Sequence, residues 1–225
     1  MRIAELFASL QGEGVLTGVP SLFIRVSGCN LRCRWCDTPY TSWRPEGDER
    51  SKSEILAWVR GFPHYRHIVV TGGEPMLFDE IVPLCAELRR MGMHITIETA
   101  GTVFREVACD LMSVSPKLAN STPDDAVWGE RHERTRIQPE VLRRLIAGSE
   151  YQLKFVVASA ADLDEVQSVQ ALCGAPNERV LLMPEGIDAE VLRERSLWLA
   201  ELCKLHGYRF TPRLHVMLWG ARRGV

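Results

Sequence analysis

Three cysteines fall within eight positions of the chain. In "SGCNLRCRWCDTPYTSW", Ser27 to Trp43, Cys29, Cys33 and Cys36 are separated by three and then two residues. Thiols grouped in this way can pair as a disulfide, hold zinc, or ligate an iron–sulfur cluster with one iron left open. Four further cysteines stand singly at Cys85, Cys109, Cys173 and Cys203. Free cysteine behaves as a small core residue in a reducing compartment. Cys85 fits that reading, since it shares a helical face with Ile81, Leu84 and Leu88. A disulfide framework is the weakest of the three possibilities. Structural zinc is closed by four protein ligands, usually two separated pairs, so it requires a distant His or Cys here. A four-iron cluster on three thiolates leaves an iron free to bind a small molecule.

Such a loop must be carried by a scaffold, and the rest of the sequence describes one. Apolar runs of strand length are expected at Ser21–Ser27, His67–Thr71, His94–Glu98, Leu111–Ser115, Gln152–Val157, Val180–Met183 and Arg213–Leu218, with Ile3–Phe7 as an edge strand. Amphipathic runs at Lys52–Gly61, Asp79–Met91, Pro139–Ala147, Asp162–Cys173 and Ala189–His206 alternate with them as helices. Ser51 or Ser53 is expected to cap the first helix and Asp79 to open the second, with Gly92 and Gly207 closing the second and last. Alternation of this kind indicates parallel strands joined by crossover helices. About six such units in 225 residues suit an incomplete barrel better than a closed eight-stranded one. The expected architecture is therefore an α/β fold, an incomplete (β/α)6-type barrel in a single domain spanning 1–225. The stretches 39–50 and 119–136 break the rhythm and read as irregular binding loops.

Ligands of such folds gather at the carboxyl ends of the strands. The cluster loop, "TGGEP" (Thr71–Pro75), "ETAG" (Glu98–Gly101) and "SPK" (Ser115–Lys117) all follow strand-like runs at that same end. Composition is that of an ordinary globular chain, 46% hydrophobic and 25% charged, with a formal net charge of -2. Charge so balanced gives no dominant electrostatic grip on nucleic acid or an anionic membrane. No signal-peptide core or membrane-length apolar run is seen, and a cytoplasmic location is expected.

The CxxxCxxC loop, with Trp35 before its last cysteine, resembles that of the radical S-adenosylmethionine superfamily, and "TGGEP" resembles the superfamily's second motif. The resemblance implies a 4Fe-4S cluster on Cys29, Cys33 and Cys36, with the open iron chelating S-adenosyl-L-methionine. A single electron then splits the sulfonium and yields a 5′-deoxyadenosyl radical able to abstract hydrogen from unactivated carbon. Within the superfamily, "SLQGEG", "FIRVSGCNLRCRWCDT", "ETAGT", "QLKFVV" and "RLHVMLWGARRGV" extend the likeness from Ile3 to the end. Together they resemble the family of 7-carboxy-7-deazaguanine synthases, lyases of the pathway to queuosine and other deazapurines. Members contract 6-carboxy-5,6,7,8-tetrahydropterin with loss of ammonia, starting from the hydrogen at C6.

By that resemblance, Leu10, Gln11, Gly12, Glu13, Arg25 and Thr71 would meet the pterin, Arg25 pairing with its carboxylate. Trp35, Asp37, Gly73, Glu74, Glu98, Ser115, Pro116, Lys117, Gln152 and Lys154 would surround the adenosylmethionine, Glu74 facing its ammonium. Glu98 suits either ligand. Thr38 would bind Mg2+, with substrate oxygens and water completing the shell. A flavodoxin or ferredoxin would supply the electron, and a homodimer is implied. Taken alone, Lys154 is equally an outward-facing strand lysine and His215 a core histidine, while "ARRGV" either folds back over the pocket or frays. Two rivals remain at this point: an activating enzyme that installs a glycyl radical on a partner protein, and a non-catalytic zinc module.

Overall fold

Side chains that alternate apolar and polar along each strand build a sheet with one greasy face and one polar face. The computed structural model describes residues 1–225. The strands are β1 (Arg2–Leu10), β2 (Pro20–Val26), β3 (Asp48–Glu49), β4 (His67–Gly72), β5 (His94–Thr99), β6 (Leu111–Val114), β7 (Tyr151–Val157), β8 (Val180–Pro184) and β9 (Arg209–Phe210). They form one open nine-stranded sheet in the order β3-β1-β2-β4-β5-β6-β7-β8-β9. From β2 through β9 the pairing is parallel, and β1 joins antiparallel to β2 and β3. Six long parallel strands and two unjoined edges make an incomplete barrel.

The helices are α1 (Lys52–Arg60), α2 (Ile81–Arg90), α3 (Ala126–Arg136), α4 (Pro139–Ala147), α5 (Leu163–Cys173), α6 (Ala189–His206) and α7 (Leu214–Trp219). The main core lies between the helices and the outer sheet face, where Leu22, Ile24, Ile68, Val70, Ile95, Ile97, Leu153 and Phe155 meet Ile55, Leu84, Leu88 and Leu142. All four solitary cysteines are buried in this core, as expected of free thiols. Ser51 caps α1 in a reciprocal box with Glu54. No helix is long and apolar enough to cross a membrane.

Several elements differ from expectation. The edge strand begins at Arg2, runs to Leu10, and is itself flanked by β3. Asp79 precedes α2 without capping it and instead pairs with Arg105. The run Arg213–Leu218 is not a strand: β9 occupies the sheet edge, and Leu214–Trp219 coils into α7 with Val216 alone buried. A short apolar run does not distinguish the two states. The stretch 119–136 is largely helical. Asp125 caps α3 through the Trp128 N–H, and the pairs Glu130–Arg134 and Glu133–Arg136 support a helix that buries only His132. With one buried side chain, α3 displays no apolar periodicity to read.

Candidate active site

The inner face of the sheet is polar and lines a cavity of about 470 Å³, the size of a small-molecule site. Its rim is the cluster loop that leaves β2. Cys29, Cys33 and Cys36 pack with Leu31, Trp35 and Ala100 in one small apolar group. Burial pushes the Cys29 and Cys33 thiols up to about 12, so iron binding there must displace their protons. The Leu31 N–H reaches Cys29 Sγ at 3.4 Å, and Ser42 Oγ lies 3.2 Å from Cys36 Sγ. Nowhere in the chain do three His, Cys, Asp or Glu side chains converge closely enough to grip a single ion. Three thiols in an apolar jacket, with no fourth protein ligand, fit a multi-iron cluster and not a closed zinc site.

Behind the rim, β4 ends at Gly72 and Gly73 follows it. A Cβ there would lie 2.1 Å from the Gly28 carbonyl oxygen, so only glycine lets the two loops touch. Glu74 sits behind this wall. It is fully buried and accepts from Met76 N, Thr99 Oγ1 and Ala100 N at 2.8–3.0 Å, and it does not line the cavity. Burial raises its pKa against the pull of these three donors. Its carboxylate thus ties the end of β4 to the end of β5 behind the cavity wall.

The floor has an unexpected origin. Because β1 is antiparallel, Leu10 pairs with Pro20 at the lower end of the sheet, opposite the other motifs. The following segment crosses under the open side of the barrel. Gly12 O accepts from Leu214 N at 2.9 Å, Gly14 N donates to Thr211 Oγ1 at 2.6 Å, and Val15 N donates to Gln152 Oε1 at 2.9 Å. A Cβ at Gly12 would fall 2.0 Å from His215 Nδ1. The crossing carries Glu13 onto Lys154 and within 3.2 Å of Arg213. Burial would raise the Glu13 pKa, but Lys154 and Arg213 overcome it and hold the carboxylate ionised. Burial likewise works to lower Lys154, yet Glu13 and Glu98 keep it protonated. Lys154 is 4% exposed and points into the barrel.

Glu98 gathers Gln11 Nε2 at 3.2 Å and Thr71 Oγ1 at 2.8 Å, with Lys154 Nζ at 3.9 Å. Arg25 lies across Phe7, 5.3 Å above the ring, with its Nε 2.8 Å from Glu5. Glu5 also accepts from Tyr40 Oη at 2.7 Å. On the opposite wall, Lys117 curls onto Ser115 O and Oγ at 2.7 and 2.8 Å. The Trp35 indole donates to Asn120 O at 3.0 Å.

Most expected site residues therefore share one cavity: Leu10, Gln11, Gly12, Glu13, Arg25, Trp35, Asp37, Thr38, Thr71, Gly73, Glu98, Ser115, Lys117 and Lys154 all line it with the three cysteines. Pro116 and Gln152 do not. Pro116 is buried behind the wall, and Gln152 spends its amide on Ser113 at 2.7 Å and on Val15. His215 belongs to the cavity and not to the core; burial lowers its pKa despite the nearby Glu13. The tail folds back, placing Arg223 over the Tyr40 ring at 3.5 Å. Sequence reasoning gave no role to Arg213 and Tyr40, which lie inside the quoted motifs, or to Glu5 and Asn120, which lie outside them.

Residues 23–120 match the family model of the radical SAM superfamily. A 7-carboxy-7-deazaguanine synthase of Halobacterium salinarum is 46% identical over 96% of this chain and 90% of its own length. One of Rhodopirellula baltica is 44% identical over 99% and 88%. The crystal structure of QueE from Escherichia coli superposes with a TM-score of 0.69 at 30% identity, covering 95% of this chain and 94% of that one. Streptococcus suis SuiB bound to S-adenosylmethionine shares the fold alone, with a TM-score of 0.58 at 14% identity over 84% of this chain and 49% of that one.

Proposed function

The chain belongs to the 7-carboxy-7-deazaguanine synthase family of radical S-adenosylmethionine enzymes, and from that premise we propose how its own residues divide the work. It is a radical SAM lyase of deazapurine biosynthesis that uses a 4Fe-4S cluster and S-adenosylmethionine. Its substrate in this reading is 6-carboxy-5,6,7,8-tetrahydropterin, which leaves as 7-carboxy-7-deazaguanine and one ammonia. Nothing else is lost, so the hydrogen removed at the start is returned.

The observation that carries the assignment is the cavity itself, which faces three apolar-jacketed thiols toward a buried, charge-balanced floor. Cys29, Cys33 and Cys36 would hold the cluster, which when reduced supplies the electron that makes a hydrogen-abstracting carbon radical from bound adenosylmethionine. Trp35, Gly73, Ser115 and Lys117 would wall that cofactor. The Glu13 carboxylate, fixed as an anion, suits the amino and ring N–H donors of a pterin, with Gln11, Gly12 and Leu10 beside it. Arg25 would take the substrate carboxylate, because its contacts with Glu5 and Phe7 orient the guanidinium and leave its terminal nitrogens open. Glu98, held by Thr71 and Gln11, stands nearer the pterin side. Lys154 holds Glu13 and Glu98 together and keeps a proton at Nζ. Phe7, Phe23 and Val69 seal the floor below against water.

Thr38 lines the same cavity, and a magnesium ion there would rely on substrate oxygens for the rest of its shell. A flavodoxin or ferredoxin would reduce the cluster. The seven unpaired thiols suit a reducing cytoplasm, and family membership supports a homodimer, which sedimentation would test.

Anaerobic incubation with adenosylmethionine, reductant, magnesium and the carboxylated pterin should yield the deazaguanine acid by mass detection. Brown protein that cleaves adenosylmethionine yet leaves this pterin intact would refute the substrate.

A further inference from the structure

Two segments bring ligand-facing groups to this cavity, and they do not touch through hydrogen bonds. The floor, residues 11–15, has partners that include Val19, Thr211, Leu214 and Gln152, whereas those of the cluster loop include Thr41, Asn120, Ser121 and His132. One side chain spans them. Arg213, 6% exposed, donates Nε to Glu13 Oε1 at 3.2 Å, Nη1 to the Gly186 carbonyl at 2.6 Å, and Nη2 to Asp37. Glu13 belongs to the floor, Asp37 follows the last cluster cysteine, and Gly186 follows β8. A planar guanidinium fixes the angles between its partners as no other side chain can.

We propose that Arg213 is a positioning residue that sets the distance and angle between the floor that holds the heterocycle and the loop that holds the cofactor. The proposal rests on the functional reading above. Its role is register, not binding. Glu13 keeps Lys154 as a partner without Arg213, and the cluster keeps its three thiols, so each ligand retains its own site. What is lost is the alignment of one site on the other, and small misplacements of reacting atoms are costly, about 100-fold for an ångström. The family's use of adenosylmethionine, which is regenerated at each turnover, makes this loss visible. With the two sites out of register, the cofactor's radical carbon would gain its hydrogen as an electron from the added reductant and a proton from solvent instead of from substrate, so 5′-deoxyadenosine and methionine would accumulate without product.

The test compares wild type with Arg213→Ala and Arg213→Lys after anaerobic cluster reconstitution. Iron content and the change that adenosylmethionine makes in the electron paramagnetic resonance spectrum of the reduced cluster should match wild type in both. Product formation should fall about 100-fold, while 5′-deoxyadenosine per product rises at least about tenfold. The further spectral change on adding pterin to the adenosylmethionine-loaded enzyme should vanish. An unchanged ratio, or loss of iron in step with activity, would overturn the proposal. If the alanine variant does not fold, the lysine variant decides: it keeps the charge but not the fork, and an unaltered ratio there overturns the idea. Failure of the substrate assignment looks different, because wild type itself would then make no deazaguanine and show no pterin-induced change.

Discussion

The barrel interior carries two buried polar layers, one above the other, that solve burial in opposite ways. In the lower layer His67 bridges Ser21 Oγ and Thr96 Oγ1, each at 2.7 Å. Every group there is neutral and both ring nitrogens are used. In the upper layer Glu13, Lys154, Glu98, Arg213 and Asp37 are charged, and their pairing is spread over five segments. Phe7, stacked on Phe23 at 4.7 Å, and Val69 separate the two. Neutral hydroxyl–imidazole contacts stabilise modestly and cheaply, whereas buried ions cost more to desolvate than hydrophobic replacements would. A fold that needed only stability would repeat the lower layer. The upper one suits the polar and ionic ligands proposed for it.

That contrast can be broken from the top down. Cys36→Ala should remove the cluster, abolish visible absorbance and turnover, and leave the melting temperature of the metal-free protein nearly unchanged. A matching fall in that temperature would show that the thiols serve the fold. Lys154→Met leaves Glu13 and Glu98 short of their shared cation. Breaking a buried pair should cost about 3–5 kcal/mol by denaturant titration, and pairing it with Glu13→Gln should recover most of that loss. Additive losses in the double variant would mean that the two side chains are not coupled. His67→Leu strands the Thr96 hydroxyl, while Ser21 Oγ keeps the Val19 carbonyl at 2.7 Å, and should cost about 1–3 kcal/mol. Its kcat should stay at the wild-type value, and a large drop would erase the division between layers.

The smallest effect is on the acid limb of stability. Burial, then His94, holds His67 down to about 4 from 6.5, and burial holds His132 at about 4 as well. Between those limits the unfolded chain binds the protons and the folded one does not, so this stabilisation is complete above pH 6.5 and drains away as pH falls toward 4. Each ring adds a limiting slope of about 1.4 kcal/mol per pH unit. Urea midpoints across that window should flatten in His67→Leu, and an unaltered profile would assign the acid loss elsewhere.

Much of this was legible beforehand, for identifiable reasons. The thiol spacing, "TGGEP", "ETAG" and "SPK" could be read because each follows an apolar run at one end of the sheet, where topology puts ligands. Lys154 could be placed on a polar face but not given a direction, since "away from Leu153 and Phe155" means solvent on a flat sheet and cavity on a curved one. Arg213 was hidden in a run that reads equally as strand or helix, and its partners lie 200 and 176 positions away. Motif position does not show that Glu74 and Gln152 stand outside the cavity lining with their polar atoms already paired, because it says nothing of hydrogen-bond saturation. The helix at 126–136 buries a single histidine, so no periodic signal announced it.

The crossing of segment 11–14 has a mechanical side. Elsewhere around the barrel each strand is sewn to the next by a ladder of amides, but between β1 and β9 the circuit is completed by a few bonds to Thr211 and Leu214 and by ionic contacts to Lys154 and Arg213. This meridian has no ladder to unzip, so the closure of the barrel there rests on these few contacts alone.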